Sequence, residues 1–215
     1  MKTLIIGRGE VGRALGEIFG AHYYQSVIDK GESDQGVFEI LHICFPYSTE
    51  FVAAVESYRR QYQPKWVVIH STVPVGTSRA LNAIHSPVRG IHPHLTQAIR
   101  TFQKFIGGPD ASKVADYFRR AGLRVMLFDK QETTEAAKLF ETESYRVNIE
   151  FMHRCKNYCH EHDLSFHEVY TLQSLTYNEG YLALGYPEYV RPILQPIAGK
   201  IGGHCVLQNK QLLEL

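Results

Sequence analysis

Three glycines near the amino terminus constrain the fold more than any other feature of the sequence. Gly7, Gly9 and Gly12 lie between a short apolar run, Thr3–Ile6, and a stretch with helical spacing of apolar residues, Val11–Phe19. A strand, a glycine-rich turn and a helix in this order are typical of the first unit of a dinucleotide-binding domain. The glycines allow a tight turn and a close approach of a pyrophosphate to the helix N-terminus. The alternative is a glycine-rich turn that binds nothing.

The following residues alternate between apolar runs and helical patterns, which predicts a parallel sheet built from βαβ units. Further strands are expected at His22–Gln25, Ile40–Phe45, Trp66–His70, Val88–Ile91 and Arg124–Phe128. Further helices are expected at Phe51–Tyr62, Thr77–Ala83 and Ser112–Ala121. We therefore predict an α/β fold, a doubly wound Rossmann-type NAD(P)-binding domain over residues 1–130.

A long helix is predicted next. From Thr133 to about His162 there is no glycine or proline, and apolar residues recur at a spacing of three to four. A helix of about 30 residues is about 45 Å long, more than a small domain needs for its own core. Part of its apolar face is therefore expected to contact a second copy of the chain. We predict an all-α dimerisation and substrate segment over residues 131–215, and a homodimer formed through helix 133–162.

Composition excludes several classes of partner. The formal net charge of the 215 residues is +1, which predicts neither a nucleic acid nor an anionic membrane as a partner. No apolar run approaches the roughly 20 residues that span a bilayer. Four cysteines without a secretory signal predict free thiols in a reducing cytoplasm.

Polar residues at predicted strand ends mark the candidate cofactor site, because ligands of open α/β sheets bind there. Ser71 and Thr72 follow the fourth strand and are placed to contact a nicotinamide or a substrate, although this segment can also be turn chemistry with Thr77 as a helix N-cap. Asp29 is the candidate for the adenosine ribose, and the neighbouring Lys30 leaves NADP open beside NAD.

Other residues are candidates for the chemistry itself. His92-Pro93-His94 ends the fifth predicted strand, and its imidazoles suit acid–base catalysis or a structural role. The pair could also ligate a metal, although the spacing fixes no third ligand. Lys138 shares a helix face with Thr142 and can stabilise negative charge on a reacting oxygen, or lie on the surface. Gly202-Gly203-His204-Cys205 places a thiol on a tight turn, where it can reach a small molecule.

A metal site is not expected. Cys155, Cys159 and His162 share one face of the predicted long helix at positions i, i+4 and i+7. Structural zinc sites usually draw ligands from a loop as well, and the spacing lacks the paired Cys-x-x-Cys form.

Taken together, these motifs resemble the UDP-glucose/GDP-mannose dehydrogenase family in order along the chain. Gly7-x-Gly9-x-x-Gly12, Ile40–Pro46 and Ser71-Thr72-Val73-Pro74-x-Gly76-Thr77 match its N-terminal domain. Glu135-Ala136-Ala137-Lys138-Leu139 resembles the start of its central dimerisation helix, and Gly202-Gly203-His204-Cys205 resembles its catalytic-cysteine motif.

The resemblance implies an NAD-linked oxidation of a primary alcohol to a carboxylate in two hydride steps. Cys205 would form a thiohemiacetal and then a thioester, Lys138 would stabilise the oxyanion, and Thr72 would position the reacting water or hydroxyl. His204, His94 and Thr142 occupy further catalytic motif positions. The implied cofactor contacts are Gly7, Gly9, Glu10, Val11, Gly12, Asp29, Phe45, Pro46, Ser71 and Thr72.

The chain departs from the family at three points. Thr142 stands where the family has an asparagine, His94 stands where it has a glutamate, and the family's UDP-binding domain after the cysteine is not in the sequence. We therefore expect an NAD(P)-dependent oxidoreductase that acts on the CH–OH group of a smaller or differently anchored substrate. The alternatives are a hydroxyacid-type dehydrogenase that does not use the thiol, a catalytically degenerate nucleotide-binding or regulatory protein, and one half of a split dehydrogenase.

Overall fold

The computed structural model describes residues 1–90, 93–196 and 204–213, and for residues 204–208 only the backbone. The chain divides into two compact units. The first contains Met1–Phe140 together with Leu212 and Leu213, and the second is Glu141–Gln211. The predicted domain boundary at residue 130 stays a prediction.

The first unit is built around a seven-stranded sheet in the order β2-β1-β3-β4-β5-β6-β7. Its strands are β1 Lys2–Ile6, β2 Tyr24–Ile28, β3 Ile40–Ile43, β4 Trp66–Ile69, β5 Ile84–His85, β6 Lys104–Gly107 and β7 Val125–Phe128. All neighbouring strands run parallel except β5 and β6, which are antiparallel.

Helices cover both faces of this sheet. The helices of the unit are α1 Glu10–Gly20, α2 Phe51–Tyr62, α3 Thr77–Ala80, α4 Leu95–Thr101, α5 Ala111–Arg120 and the start of α6 Gln131–Glu161. One apolar core joins α1, α4 and α5 to one face, with Phe19 and Phe118 fully buried, and a second joins α2 to the other face through Phe51 and Val55. The predicted doubly wound Rossmann-type fold is confirmed.

Several boundaries differ from the sequence prediction. The second strand is Tyr24–Ile28 and not His22–Gln25. The fifth strand is Ile84–His85, since Val88–Gly90 is not a strand and Ile91 lies outside the described residues. α3 is a single turn that ends at Ala80 and not at Ala83.

Two elements of the sheet region were missed. β6 contains Lys104, which is buried, and ends at Gly107, so that it lacks the apolar run expected of an internal strand. α4 is only seven residues long, too short for a helical period to be recognised.

The second unit is helical. α6 continues through it to Glu161, close to the predicted end at His162. A π-helical segment, His167–Leu172, leads into α7 Gln173–Ala183, and Pro187–Tyr189 forms a 3₁₀ turn. α8 spans His204–Leu213. Within the described residues, no helix combines the length and apolar character needed to cross a membrane.

Candidate functional site

The glycine turn between β1 and α1 is sterically closed at two positions and open at the third. A Cβ atom on Gly12 would lie 1.8 Å from the carbonyl oxygen of Gly7, and one on Gly7 would lie 2.9 Å from the backbone carbon of Cys44. Gly7 also has φ +113°, which a side chain would strain. At Gly9 nothing lies within 4 Å. The backbone is therefore packed tightly on itself while leaving space beside Gly9, at the N-terminus of α1.

This turn lies at the point where the strand order of the sheet reverses, beside β1. β1 is flanked by β2 on one side and by β3 on the other. α1 covers one face of the sheet and α2, which follows β3, covers the other. Ligands of open α/β sheets bind outside the carboxyl ends of the strands at such a switch point. Gly7–Gly12 after β1 and Cys44–Pro46 after β3 form the two sides of this crevice, and the open position at Gly9 lies beside it.

The segment after β2 supplies a carboxylate at the same edge. Because β2 extends to Ile28, Asp29 follows it directly. Asp29 Oδ1 accepts hydrogen bonds from the backbone N–H groups of Lys30, at 2.9 Å, and Arg8, at 3.3 Å. These bonds lower the pKa of the Asp29 carboxyl. Arg8 itself forms an ion pair with Glu32 at 3.0 Å.

Phe45, Pro46, Ser71 and Thr72 follow the two central strands. The Ser71 hydroxyl donates to the carbonyl oxygen of Phe45 at 2.6 Å and thereby joins the ends of β3 and β4. The Phe45 ring packs in the core against Phe51, so that only the backbone of Phe45 faces the crevice. Thr72 is half-buried and Pro46 is exposed.

A carboxylate from α6 holds the Ser71–Thr77 loop. Glu135, which is 1% exposed, accepts hydrogen bonds from the backbone N–H groups of Gly76, at 2.6 Å, and Ser78, at 2.8 Å. The N-cap of α3 is therefore Gly76, and the suggested N-cap Thr77 instead donates its hydroxyl to the carbonyl of Pro74. The role of Glu135 was missed, because a helix cap supplied from a distant element leaves no local sequence signal.

Lys138 lies on α6 one turn after Glu135 and is half-buried. Residues three apart share a helix face, so that Lys138 lies on the side of α6 that holds the Ser71–Thr77 loop. Burial lowers the pKa of Lys104, and the positive charge of Lys138 lowers it further. Lys138 thus belongs to the same unit as the crevice residues.

His94 takes the N-cap position of α4 and is exposed. α4 packs on α1, where the Thr96 hydroxyl donates to Glu17 at 2.9 Å. His92, the other imidazole of the predicted pair, lies outside the described residues.

The remaining catalytic candidates belong to the second unit. Thr142 accepts a hydrogen bond from the side-chain amide of Asn209 at 3.1 Å. Asn209 is on α8, one turn after Cys205 and five residues after His204. Gly202 and Gly203 lie outside the described residues. The structure therefore brings the helix that carries Cys205 beside Thr142, through the hydrogen bond from the Asn209 amide.

A buried group of basic side chains, which was not predicted from the sequence, lies at the carboxyl edge of the sheet. His42, His70, His85 and Lys104 are each at most 3% exposed. Burial lowers the pKa of His42 and of His85 to about 3 and that of Lys104 to about 7, and it lowers the pKa of His70 well below its usual range. The single signal in the sequence was a histidine inside the otherwise apolar β3 run.

No metal centre is found among the residues that the structure describes. Cys155 and Cys159 are free thiols on α6. Burial raises the pKa of Cys155, and the neighbouring Cys159 raises it further.

The sequence matches no protein-family model and no curated protein. Its structure is similar to that of the UDP-D-ManNAc dehydrogenase from Pyrococcus horikoshii, with a TM-score of 0.76 and 18% identity over 99% of this chain and 64% of that one. The UDP-N-acetyl-mannosamine dehydrogenase Cap5O from Staphylococcus aureus gives 0.72 and 15% over 100% of this chain and 68% of that one. An NDP-N-acetyl-D-galactosaminuronic acid dehydrogenase from Methanosarcina mazei Go1 gives 0.68 and 17%, covering 99% of this chain and 60% of that one.

The chain thus spans about two thirds of the length of these dehydrogenases and shares their fold. The similarity extends over both units of the chain, in agreement with the motif order that carries the family resemblance.

Proposed function

We propose that this chain binds a nicotinamide dinucleotide in the crevice between β1 and β3 and oxidises the CH–OH group of a substrate related to nucleotide sugars. The observation that carries the proposal is the glycine turn: no Cβ fits at Gly7 or Gly12, while the space beside Gly9 is open at a helix N-terminus. Such a site suits a pyrophosphate. The shared fold of three nucleotide-sugar dehydrogenases supports it.

NAD is the proposed cofactor, in preference to NADP. A carboxylate at the end of β2 hydrogen-bonds a ribose hydroxyl and repels a ribose phosphate. Asp29 Oδ2 accepts no hydrogen bond within the described ranges, so that it is available to a ribose. The basic neighbours Arg8 and Lys30 are paired with Glu32 and Glu50, at 3.0 and 3.8 Å.

The bound nicotinamide would supply the hydride-accepting group. We propose that Lys138 donates hydrogen bonds to the reacting oxygen and that Thr72 positions the substrate hydroxyl or water. His94 acts as acid or base, and Thr142 and Asn209 position the α8 helix. Cys205, with His204 beside it in sequence, adds to the aldehyde carbonyl to give a thiohemiacetal. A second hydride would leave the thiohemiacetal carbon for a second oxidised dinucleotide, with loss of the hydroxyl proton. The resulting thioester would be cleaved by water to the carboxylate and the free thiol.

The homodimer through helix 133–162 is proposed on the exposed apolar residues of α6. Val147, Phe151 and Tyr158 are spaced by four and seven residues, which places them on one face of the helix. Their exposed fractions are 45%, 43% and 56%. Contiguous exposed apolar faces of this kind mark protein–protein interfaces. We also propose a reducing cytoplasm, in keeping with the free thiols of Cys44, Cys155 and Cys159.

Calorimetry of cofactor binding tests the function. We expect NAD to bind more tightly than NADP, and Gly9→Ala to weaken NAD binding about tenfold or more, the equivalent of about 1.4 kcal/mol. Gly9→Ala meets no atom within 4 Å in the protein itself, so its unfolding free energy should stay within about 0.5 kcal/mol of the wild type. Gly180→Ala on α7, which also meets nothing within 4 Å, is the matched control. Failure of the wild type to bind either dinucleotide would overturn the proposal.

Turnover separates the remaining alternatives. NAD reduction on a panel of primary alcohols and nucleotide sugars should be lost in Cys205→Ser if the thioester route operates. Unchanged turnover would assign a hydroxyacid-type mechanism without the thiol. Tight NAD binding without turnover on any substrate would select the nucleotide-binding or split-enzyme alternatives.

A further inference from the structure

The amine of Lys104 is buried at the carboxyl edge of the sheet, on the face covered by α1, α4 and α5. It lies 2.7 Å from the carbonyl oxygen of Ser86, 2.8 Å from that of Pro87 and 3.4 Å from His70 Nδ1. A neutral amine has two N–H donors and an ammonium has three. The two N–H groups of a neutral Lys104 amine are therefore enough to donate to both carbonyls. The third N–H of an ammonium would have to donate to the imidazole nitrogen of His70.

The two imidazoles behind Lys104 form a hydrogen-bonded chain. His70 Nδ1 lies 2.8 Å from the same Ser86 carbonyl, and His70 Nε2 lies 2.9 Å from His42 Nδ1. If His70 donates from Nδ1 to Ser86, it accepts from His42 at Nε2. In this arrangement every short contact is a hydrogen bond and Lys104 is uncharged. His42 Nε2 is then a buried lone pair with no partner among the described residues.

A proton added to Lys104 changes this chain. As an ammonium, Lys104 donates its third hydrogen to His70 Nδ1, which must then carry its proton on Nε2 and donate to His42. His42 in turn carries its proton on Nε2, which has no acceptor among the described residues. One proton is bound, and both imidazoles change tautomer.

No carboxylate balances this amine within the described part of the chain. The titratable groups that act on it are the Cys44 thiol after β3 and the like-charged Lys138 on α6, and its own charge acts on His42, His70 and His85 of β3 to β5. Burial raises the pKa of Cys44 to about 12, so that it stays a neutral thiol. A buried ammonium with no counter-ion is costly and is held only where its charge has some other partner.

The candidate partner for the charge of Lys104 is a cofactor bound in the crevice. Cys44 directly follows β3, and its backbone closes one side of the glycine turn at Gly7. Lys104 reaches His70, which follows β4, and neighbouring strands lie roughly 4.8 Å apart. The amine is therefore about two strand spacings from the floor of the crevice, inside a low-dielectric core where charges interact strongly.

We propose that the protonation of Lys104, relayed to His70 and His42, is coupled to the oxidation state of the nicotinamide dinucleotide bound in the crevice. This inference rests on the proposed function. Lys104 acts through the electrostatic potential and does not touch the cofactor. The oxidised nicotinamide ring carries a positive charge that the reduced ring lacks, so that the oxidised form favours uncharged Lys104 and the reduced form favours the ammonium. Reciprocity requires that protonation of Lys104 weaken binding of the oxidised form relative to the reduced form.

Calorimetry of NAD⁺ and NADH binding between pH 6 and pH 9, in buffers of different ionisation enthalpy, tests the coupling. We expect the ratio of the NAD⁺ to the NADH dissociation constant to fall on the order of tenfold as the pH rises, the effect of a unit charge felt across roughly 10 Å at an effective dielectric constant of about 20. NADH binding should take up more protons than NAD⁺ binding near pH 7.

The variant Lys104→Met should remove both the pH dependence of this ratio and the difference in proton uptake. Lys113→Met, on the exposed side of α5, should behave like the wild type. If Lys104→Met retains the wild-type pH dependence, the coupling is wrong.

A measurement on the wild type covers the case in which Lys104→Met does not fold. In ¹³C spectra of the lysine Cε carbons, the resonance that titrates closest to neutral pH should have a higher midpoint with NADH bound than with NAD⁺ bound. Equal midpoints would refute the coupling while leaving cofactor binding intact. Absence of binding by both dinucleotides would instead refute the proposed function, and this inference with it.

Discussion

Three glycines of one turn differ in what a single methyl group would meet. At Gly12 it would lie 1.8 Å from a backbone oxygen, and at Gly7 2.9 Å from backbone atoms of the segment that follows β3, whereas at Gly9 it would meet nothing within 4 Å. The first two glycines are therefore required by the protein's own packing. Gly9 is required only if a ligand occupies the space beside it. A substitution at Gly9 therefore tests ligand binding without disturbing the fold.

At the residue scale we predict that Gly12→Ala destabilises the protein by about 2–3 kcal/mol, because a rigid backbone atom cannot move away from the new methyl group. Gly180→Ala, within α7, should instead raise the unfolding free energy by roughly 0.5–1 kcal/mol, since alanine loses less backbone freedom in a helix. Urea unfolding of the two variants checks this. Equal stabilities of the two variants would show that the turn relaxes.

At the scale of elements, α6 has a different task at each end. Its first turn supplies Glu135, which caps α3 and holds the Ser71–Thr77 loop. Its second half, in the second unit, buries Ile149, Met152 and Cys159 and leaves a separate apolar face exposed. The helix itself was predictable from an apolar period uninterrupted by glycine or proline. The cap was not, because it joins residues more than 50 positions apart.

The exposed face of α6 leads to a prediction about association. Val147→Glu should weaken the homodimer at least about tenfold, because burying an unpaired carboxylate in an apolar interface is costly. Lys156→Glu, an exposed position on the opposite side of the helix, should leave the dimer intact. Sedimentation velocity over a range of protein concentrations measures both variants. A wild type that stays monomeric at all concentrations would rule out the proposed dimer.

At the scale of the whole molecule, the buried basic groups determine how stability depends on pH. The pKa values of His42 and His85 are lowered to about 3, that of His70 is lowered as well, and that of Lys104 is lowered to about 7. The unfolded chain, with ordinary values, binds more protons than the folded protein wherever the pH lies between the folded and unfolded pKa. Stability must then rise with pH across that interval.

We therefore predict that the unfolding free energy falls as the pH drops from about 6.5 to 3 and rises, on the order of a few kcal/mol, from pH 7 to pH 10. Urea unfolding midpoints at pH 5, 7 and 9 measure this directly. In Lys104→Met the rise above pH 7 should disappear while the loss below pH 6.5 remains, since the histidines cause the latter. A wild-type midpoint that is highest at pH 7 and falls by pH 9 would contradict the prediction.

The sequence by itself determined the glycine turn, the alternation of strands and helices and the long helix, because each is a local pattern of apolar spacing and backbone freedom. The tertiary structure decided what the polar residues contact. It extended β2 so that Asp29 lies at its end, placed β6 antiparallel so that Lys104 enters the core beside His70, and brought Asn209 to Thr142. The spacing of apolar residues along the chain indicates which face of a helix or strand is buried. The partner of a buried charge depends on strand order and long-range packing, which no short stretch of sequence contains.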